Sequence, residues 1–162
     1  MSIFYSYAES KTEDASLENL AGDAKAVSSY LISSGHPDNW SISNVAILGL
    51  TNSNGRIDAS KLLLLEGIGY SKARTLLNTK YDFFIYFLDK ASCVIKINDD
   101  YGFGHPDAEL EDKGSSESCL MQDAKNMSLD LSEINPKKLV KIERLAVHNS
   151  TISKMVLHEW EK

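Results

Sequence analysis

Between residues 9 and 34 the apolar positions Leu17, Leu20, Ala24, Val27 and Leu31 recur at spacings of three and four, and the positions between them are mostly Glu, Asp, Lys and Ser. That is one stripe of an amphipathic helix. Gly35 and Pro37 stop it, because glycine readily takes the left-handed conformation past a helix end and proline cannot continue the helix. Trp40 is expected to pack back on the core. Residues 44–50 read as a short buried strand or extended segment, closed by the turn-forming Thr51-Asn52-Ser53-Asn54-Gly55. Asp58 is placed to cap a second helix over 59–66 and Ser71 a third through Leu77, with Gly67-Ile68-Gly69 between them.

Residues 81–88 are apolar on both alternating faces except at Asp82, the pattern of a central strand covered on both sides. Residues 93–97 supply its partner through the hairpin-length Asp89-Lys90-Ala91-Ser92. Residues 98–138 read as a long acidic loop. Two β-rich runs, 139–148 and 152–160, then flank Asn149-Ser150-Thr151 as a second hairpin, and a slip in alternation between Ile142 and Leu145 predicts a bulge near Glu143 or Arg144. The expected fold is α+β: a long N-terminal helix over 9–34 packed on an antiparallel sheet of about four to five strands, with two short helices, in a single domain spanning 1–162.

Composition narrows the function classes. The chain has 162 residues, 43% of them hydrophobic and 25% charged, which suits one core. Its net charge of −6 argues against a broad grip on nucleic acid or anionic lipid, since neutralising phosphates needs clustered Lys and Arg. No run approaches the roughly 18 to 20 apolar residues that cross a bilayer. Ile3, Phe4, Tyr5, Tyr7 and Ala8 form an apolar cluster just before the polar helix, readable as the end of a longer apolar element or as a loosely packed terminus.

Candidate chemistry is sparse. Cys93 and Cys119 are the two cysteines, compatible with buried thiols or with a bonded pair. The segment from Leu65 to Leu76 resembles a helix-hairpin-helix element, in which the Gly67-Ile68-Gly69 turn would aim backbone N–H groups at a phosphate while Lys72 and Arg74 add positive charge. The preceding helix offers only Lys61, so nucleic acid is not the expected partner. His36, His105, His148 and His158 lack ligand spacing and read as surface residues, so no metal is expected. Asp99, Asp100, Asp107, Glu109, Glu111 and Asp112 lack the spacing of a calcium loop. No Gly-x-Ser-x-Gly elbow or activated cysteine motif is present, so neither catalysis nor a cofactor is expected. Asn39, Asn126 and Asn149 head three glycosylation sequons.

The run from Ser29 through Gly35-His36-Pro37-Asp38-Asn39-Trp40, continuing to Val45-Ala46-Ile47-Leu48-Gly49-Leu50 and Arg56-Ile57-Asp58-Ala59-Ser60-Lys61-Leu62, resembles the soluble part of archaeal type IV pilin-like surface proteins. Tyr70 to Leu77, Tyr81-Asp82-Phe83-Phe84-Ile85 and a closing hairpin with Arg144, Asn149 and Trp160 extend the likeness. The resemblance implies a non-enzymatic structural or adhesion subunit at the cell surface. It implies a membrane anchor through an N-terminal hydrophobic helix, not seen here, that a prepilin-type peptidase would process and that residues 3–8 would continue. Other pilin-like subunits or surface partners are its implied partners. In that oxidising setting Cys93 and Cys119 should be bonded, Asn39, Asn126 and Asn149 become glycan sites, and the acidic loop faces a partner. The competing expectation is an intracellular module contacting DNA through Gly67, Gly69, Lys72 and Arg74.

Overall fold

The computed structural model describes residues 2–5, 11–119 and 124–162. The amphipathic stripe forms α1 (Lys11–Leu31). It lies across the long hairpin of β8 (Lys138–His148) and β9 (Thr151–Glu161). Asp58 caps α2 (Ala59–Ile68), its carboxylate accepting from Ser60 N at 2.9 Å. The third helix, α3 (Tyr70–Leu76), is entered through Gly69 with no side-chain cap, so Ser71 lies inside the helix and does not cap it. Gly69 adopts φ 79°, and a single residue of that conformation suffices to turn one helix into the next.

Among the described residues the main sheet has seven strands, where about four to five were expected. Its order is β1 (Ser2–Tyr5), β8, β9, β2 (Asp82–Leu88), β3 (Val94–Ile95) and β6 (Ala124–Lys125), with β4 (Gly102–Gly104) also paired to β2. Every named pairing is antiparallel. Ser2–Tyr5 pair with Glu143–Val140, so these residues form an edge strand where a continuation of the helix was expected; residues 6–8 of that expectation lie outside the described residues. Residues 44–50 form no strand. Asn44 closes a turn, the chain beyond it is held by the His36–Ile47 bridge and by Leu50 N donating to Leu31 O at 2.8 Å, and of these residues only Leu48, Gly49 and Leu50 are buried.

No bulge interrupts β8. Its register with β9 runs unbroken from Lys138 opposite Glu161 to His148 opposite Thr151. The slip in alternation has another origin: Arg144 occupies an inward, helix-facing position, where it bonds α1. Asn149 and Ser150, at φ 47° and 63°, close the hairpin as a two-residue turn of the kind whose twist matches the strands.

Two cores share the sheet. Leu20, Ala24, Val27 and Leu31 of α1 pack with Val140, Ile142, Phe83, Ile85 and Leu157 on one face. On the other, Phe84, Tyr86, Leu88, Val156 and Trp160 meet Ala108, Leu110, Met127, Leu129, Leu131 and Ile134. The region 98–138, expected as a loop, therefore divides: β4 and β6 join the main sheet, Lys138 opens β8, and the ribbon of β5 (Glu109–Asp112) and β7 (Met127–Asp130) is the centre of a third layer. Its apolar residues stand singly between acidic or polar ones, which hid the alternation of two in Glu109-Leu110-Glu111 and Met127-Ser128-Leu129-Asp130. Burying those alternate residues over the aromatic face gives a layered α/β/β arrangement.

Candidate functional site

After β2 the carboxylate of Asp89, itself buried, accepts from Ala91 N at 2.8 Å and Cys93 N at 2.9 Å, while Ser92 takes φ 66°. This tight turn sends Cys93 into the core, where its Sγ is bonded to that of Cys119 across a Cα–Cα distance of 5.7 Å. The covalent ring of the bridge encloses β3, β4 and β5, so it ties the outgoing part of the excursion, including one strand of the third-layer ribbon, back to the core, while β7 lies beyond it. A buried disulfide fits a protein of an oxidising compartment. Among the described residues no helix is long and apolar enough to cross a membrane.

The outer side of the third layer is acidic. Glu109 stands directly opposite Asp130, a cross-strand pairing of like charges that costs stability. Local bonds partly compensate: Ser132 N holds Asp130 below the usual carboxylate range, and Gly114 N does the same for Asp112, which also pairs with Lys125 at 3.5 Å. Glu111 pairs with Lys113. Asp107, Glu109, Asp130 and Glu133 line a shallow open depression. Among the described residues no group of three or more His, Cys, Asp or Glu side chains is placed to hold a metal ion.

Of the residues expected to touch DNA, Gly69 and Arg74 are engaged within the fold, whereas Gly67 and Lys72 are exposed. Gly67 belongs to α2, and a Cβ there would press on Ile42 Cδ1. Gly69 N donates back to Leu65 O and Glu66 O, leaving it no hydrogen for a phosphate. Arg74 pairs with Asp82 at 2.9 Å and donates to Lys80 O at 2.6 Å. Lys72 is exposed and reaches Ile42 O at 3.4 Å, and Lys61 is buried with its ammonium donating to Ser34 O and Thr51 O.

The structure also gathers groups that no spacing announced. Around the buried Asp82 carboxylate stand Tyr70 Oη, donating at 2.7 Å, Arg74, Lys162 Nζ at 3.6 Å and His105 Nε2 at 3.9 Å. Burial, and then the bond to Asp82, holds the Tyr70 phenol well above its usual range. The donors and acceptors of this cluster satisfy one another and tie α3, β2, the third layer and the chain's last residue together. Its members come from four separate stretches of chain, so no local motif could reveal them.

Two histidines read as surface residues are interior. His105 is buried between the Tyr70 and Trp160 rings, and His158 stacks on Tyr86, its pKa pushed down to about 4 mainly by burial. His158 takes an inward position of β9, and His105 follows the end of β4, where its N donates to Phe83 O at 2.9 Å. Asn39 and Asn149 are exposed at turns, as a glycan acceptor must be, whereas Asn126 is half-buried between β6 and β7. Compared with protein-family models, with curated proteins and with solved structures, the chain matches none.

Proposed function

We propose that this chain is the displayed domain of an extracytoplasmic, non-enzymatic subunit of the type IV pilin-like kind, acting through its surfaces in structure or adhesion. The observation that carries the reading is the layering: an N-terminal helix on one side of an antiparallel sheet, and on the other an acidic layer tied back through the Cys93–Cys119 bond. Such an arrangement leaves the acidic layer free to meet a partner while α1 packs inward. Exposed Asn39 and Asn149 serve as glycan acceptors in the same setting. The engagement of Gly69 and Arg74 inside the fold weighs against the DNA-contacting alternative.

In this reading Ser2–Tyr5 leave the β8 edge they occupy here when the subunit assembles. The test is made on intact cells that produce the protein. A membrane-impermeant amine reagent should label it, and its thiols should be unreactive until reduced. Protection from the reagent together with two free thiols would overturn the proposal, and salt-sensitive DNA binding in the same extract would favour the alternative.

A further inference from the structure

Where β2 ends, a cavity lies between the turn through Asp89, β3 and the tip of the β8–β9 hairpin, against the helix-side core residue Ile95. Its volume is about 100 Å³, several times what one water needs. Two side chains lining it are more than nine-tenths buried and keep a polar atom without a partner. Asp89 is 6% exposed, and both backbone bonds of its turn go to Oδ1, so Oδ2 accepts nothing among the described residues. Ser153 is 3% exposed, and its hydroxyl makes no hydrogen bond among the described residues. Both atoms reach the open space of the cavity and are not sealed in the core as Glu159 Oε2 is.

The hairpin tip adds His148 and Asn149, whose side chains bond nothing else among the described residues. Burial holds the His148 imidazole below its ordinary range, so near neutral pH it is uncharged. Among the described residues the lining holds one carboxylate, Asp89, and one ammonium, that of Lys96, which also pairs with the exposed Asp99 at 3.4 Å. An anion would meet Asp89 and a cation would meet Lys96, so the balance selects a neutral guest. A metal ion lacks ligands, because no third His, Cys, Asp or Glu joins Asp89 and His148 among the described residues.

Asp89 Oδ2 can only accept, whereas Ser153, His148 and Asn149 can each donate and accept. Neighbouring hydroxyls on one ring satisfy both kinds of group at once, and the ring C–H groups between them suit Ile95. We propose that this cavity binds the vicinal-diol edge of a neutral sugar ring, one hydroxyl donating to Asp89 Oδ2 and its neighbour bonding the Ser153 hydroxyl. The site does not depend on the surface role proposed above.

The test is an amide-shift titration of the ¹⁵N-labelled full chain near neutral pH, produced without a glycan because one on Asn149 would stand at the mouth of the cavity. The probes are the methyl α-glycosides of glucose, mannose and galactose, which differ in the arrangement of their diols. Saturable shifts confined to residues around the cavity are expected with at least one of them, with a dissociation constant on the order of 1 mM. Tetrahydropyran-2-methanol, a ring without a diol, and glycine, a zwitterion of similar size to the cavity, should each bind about tenfold more weakly. Asp89→Asn keeps Oδ1 for the turn and should weaken the sugar about tenfold, and Ser153→Ala about fivefold. Unchanged spectra elsewhere show that a variant is folded, and Ser153→Ala, which removes only a hydroxyl, decides the matter if the turn does not tolerate the amide. A comparable response to tetrahydropyran-2-methanol, tighter binding of glycine than of every sugar, no saturable shift with any sugar, or undiminished affinity in a folded variant would each overturn the proposal.

Discussion

Arg144 on β8 reaches Ser28 on α1, its Nε donating to the hydroxyl at 3.0 Å while Nη2 donates to Ser29 Oγ at 3.0 Å and Lys25 O at 3.2 Å. Ser28 is fully buried, so the guanidinium serves as a polar peg between helix and sheet. Arg144→Met keeps the stem but removes the donors. We expect a loss of about 1–2 kcal/mol, read as a lower urea midpoint with an unchanged slope.

Glu159 on β9 is fully buried beneath α1, and its Oε1 accepts from Thr79 Oγ1 at 2.8 Å. Its Oε2 and Asp23 Oδ2 on α1 are buried without hydrogen-bond partners among the described residues. Burial, with Asp23 adding to it and Thr79 and Arg74 opposing, raises the Glu159 pKa from 4.5 to about 9. The folded chain thus holds a proton that the unfolded chain loses, and the resulting stability, full below 4.5, is lost as pH rises through about 9. His158, shifted down, acts oppositely below its ordinary 6.5, where stability rises with pH. The clean window is therefore about pH 7 to 9. Thermal midpoints should fall across it in the parent protein and fall less in Glu159→Gln, which stays neutral and keeps an acceptor for Thr79.

Closing a ring with a sequence separation of 26 residues is expected to contribute about 3.5 kcal/mol in the loop-entropy account. The double variant Cys93→Ala/Cys119→Ala should lose roughly that much. Hydrogen exchange should localise the loosening to β3, β4 and the β5–β7 ribbon while α1 and β8–β9 stay protected. Equal loss of protection everywhere would contradict the anchoring role given to the bond.

Gly49 and Gly22 form a matched pair. A Cβ at Gly49 would fall on the backbone of Gly35 and Ser33, and Gly49 O also accepts from Trp40 Nε1 at 2.9 Å. Backbone cannot step aside, so Gly49→Ala should cost about 3 kcal/mol or more and shift Trp40 fluorescence. Gly22 lies in α1 with nothing within 4 Å of an added Cβ. Gly22→Ala should therefore stabilise by about 0.5–1 kcal/mol.

The order of the chain alone determined the local elements. Leu17 to Leu31 at helical spacing fixed α1, Asp58 fixed the start of α2, and the unbroken apolar run around Phe83 to Leu88 fixed a strand covered on both faces, because each of these signals is contained within one or two turns or a few residues. Tertiary structure decided the rest. Whether Leu110 and Leu129 lie in a loop or a layer depends on an aromatic face from Phe84 to Trp160 that exists only once β2 and β9 are paired. Arg144 faces inward only because Ser28 waits on a helix more than a hundred residues earlier. Asp82 gathers Tyr70, Arg74, His105 and Lys162 for the same reason. Short-range spacing encodes backbone geometry, whereas burial and charge neighbourhood are set by residues that only the closed sheet brings within reach.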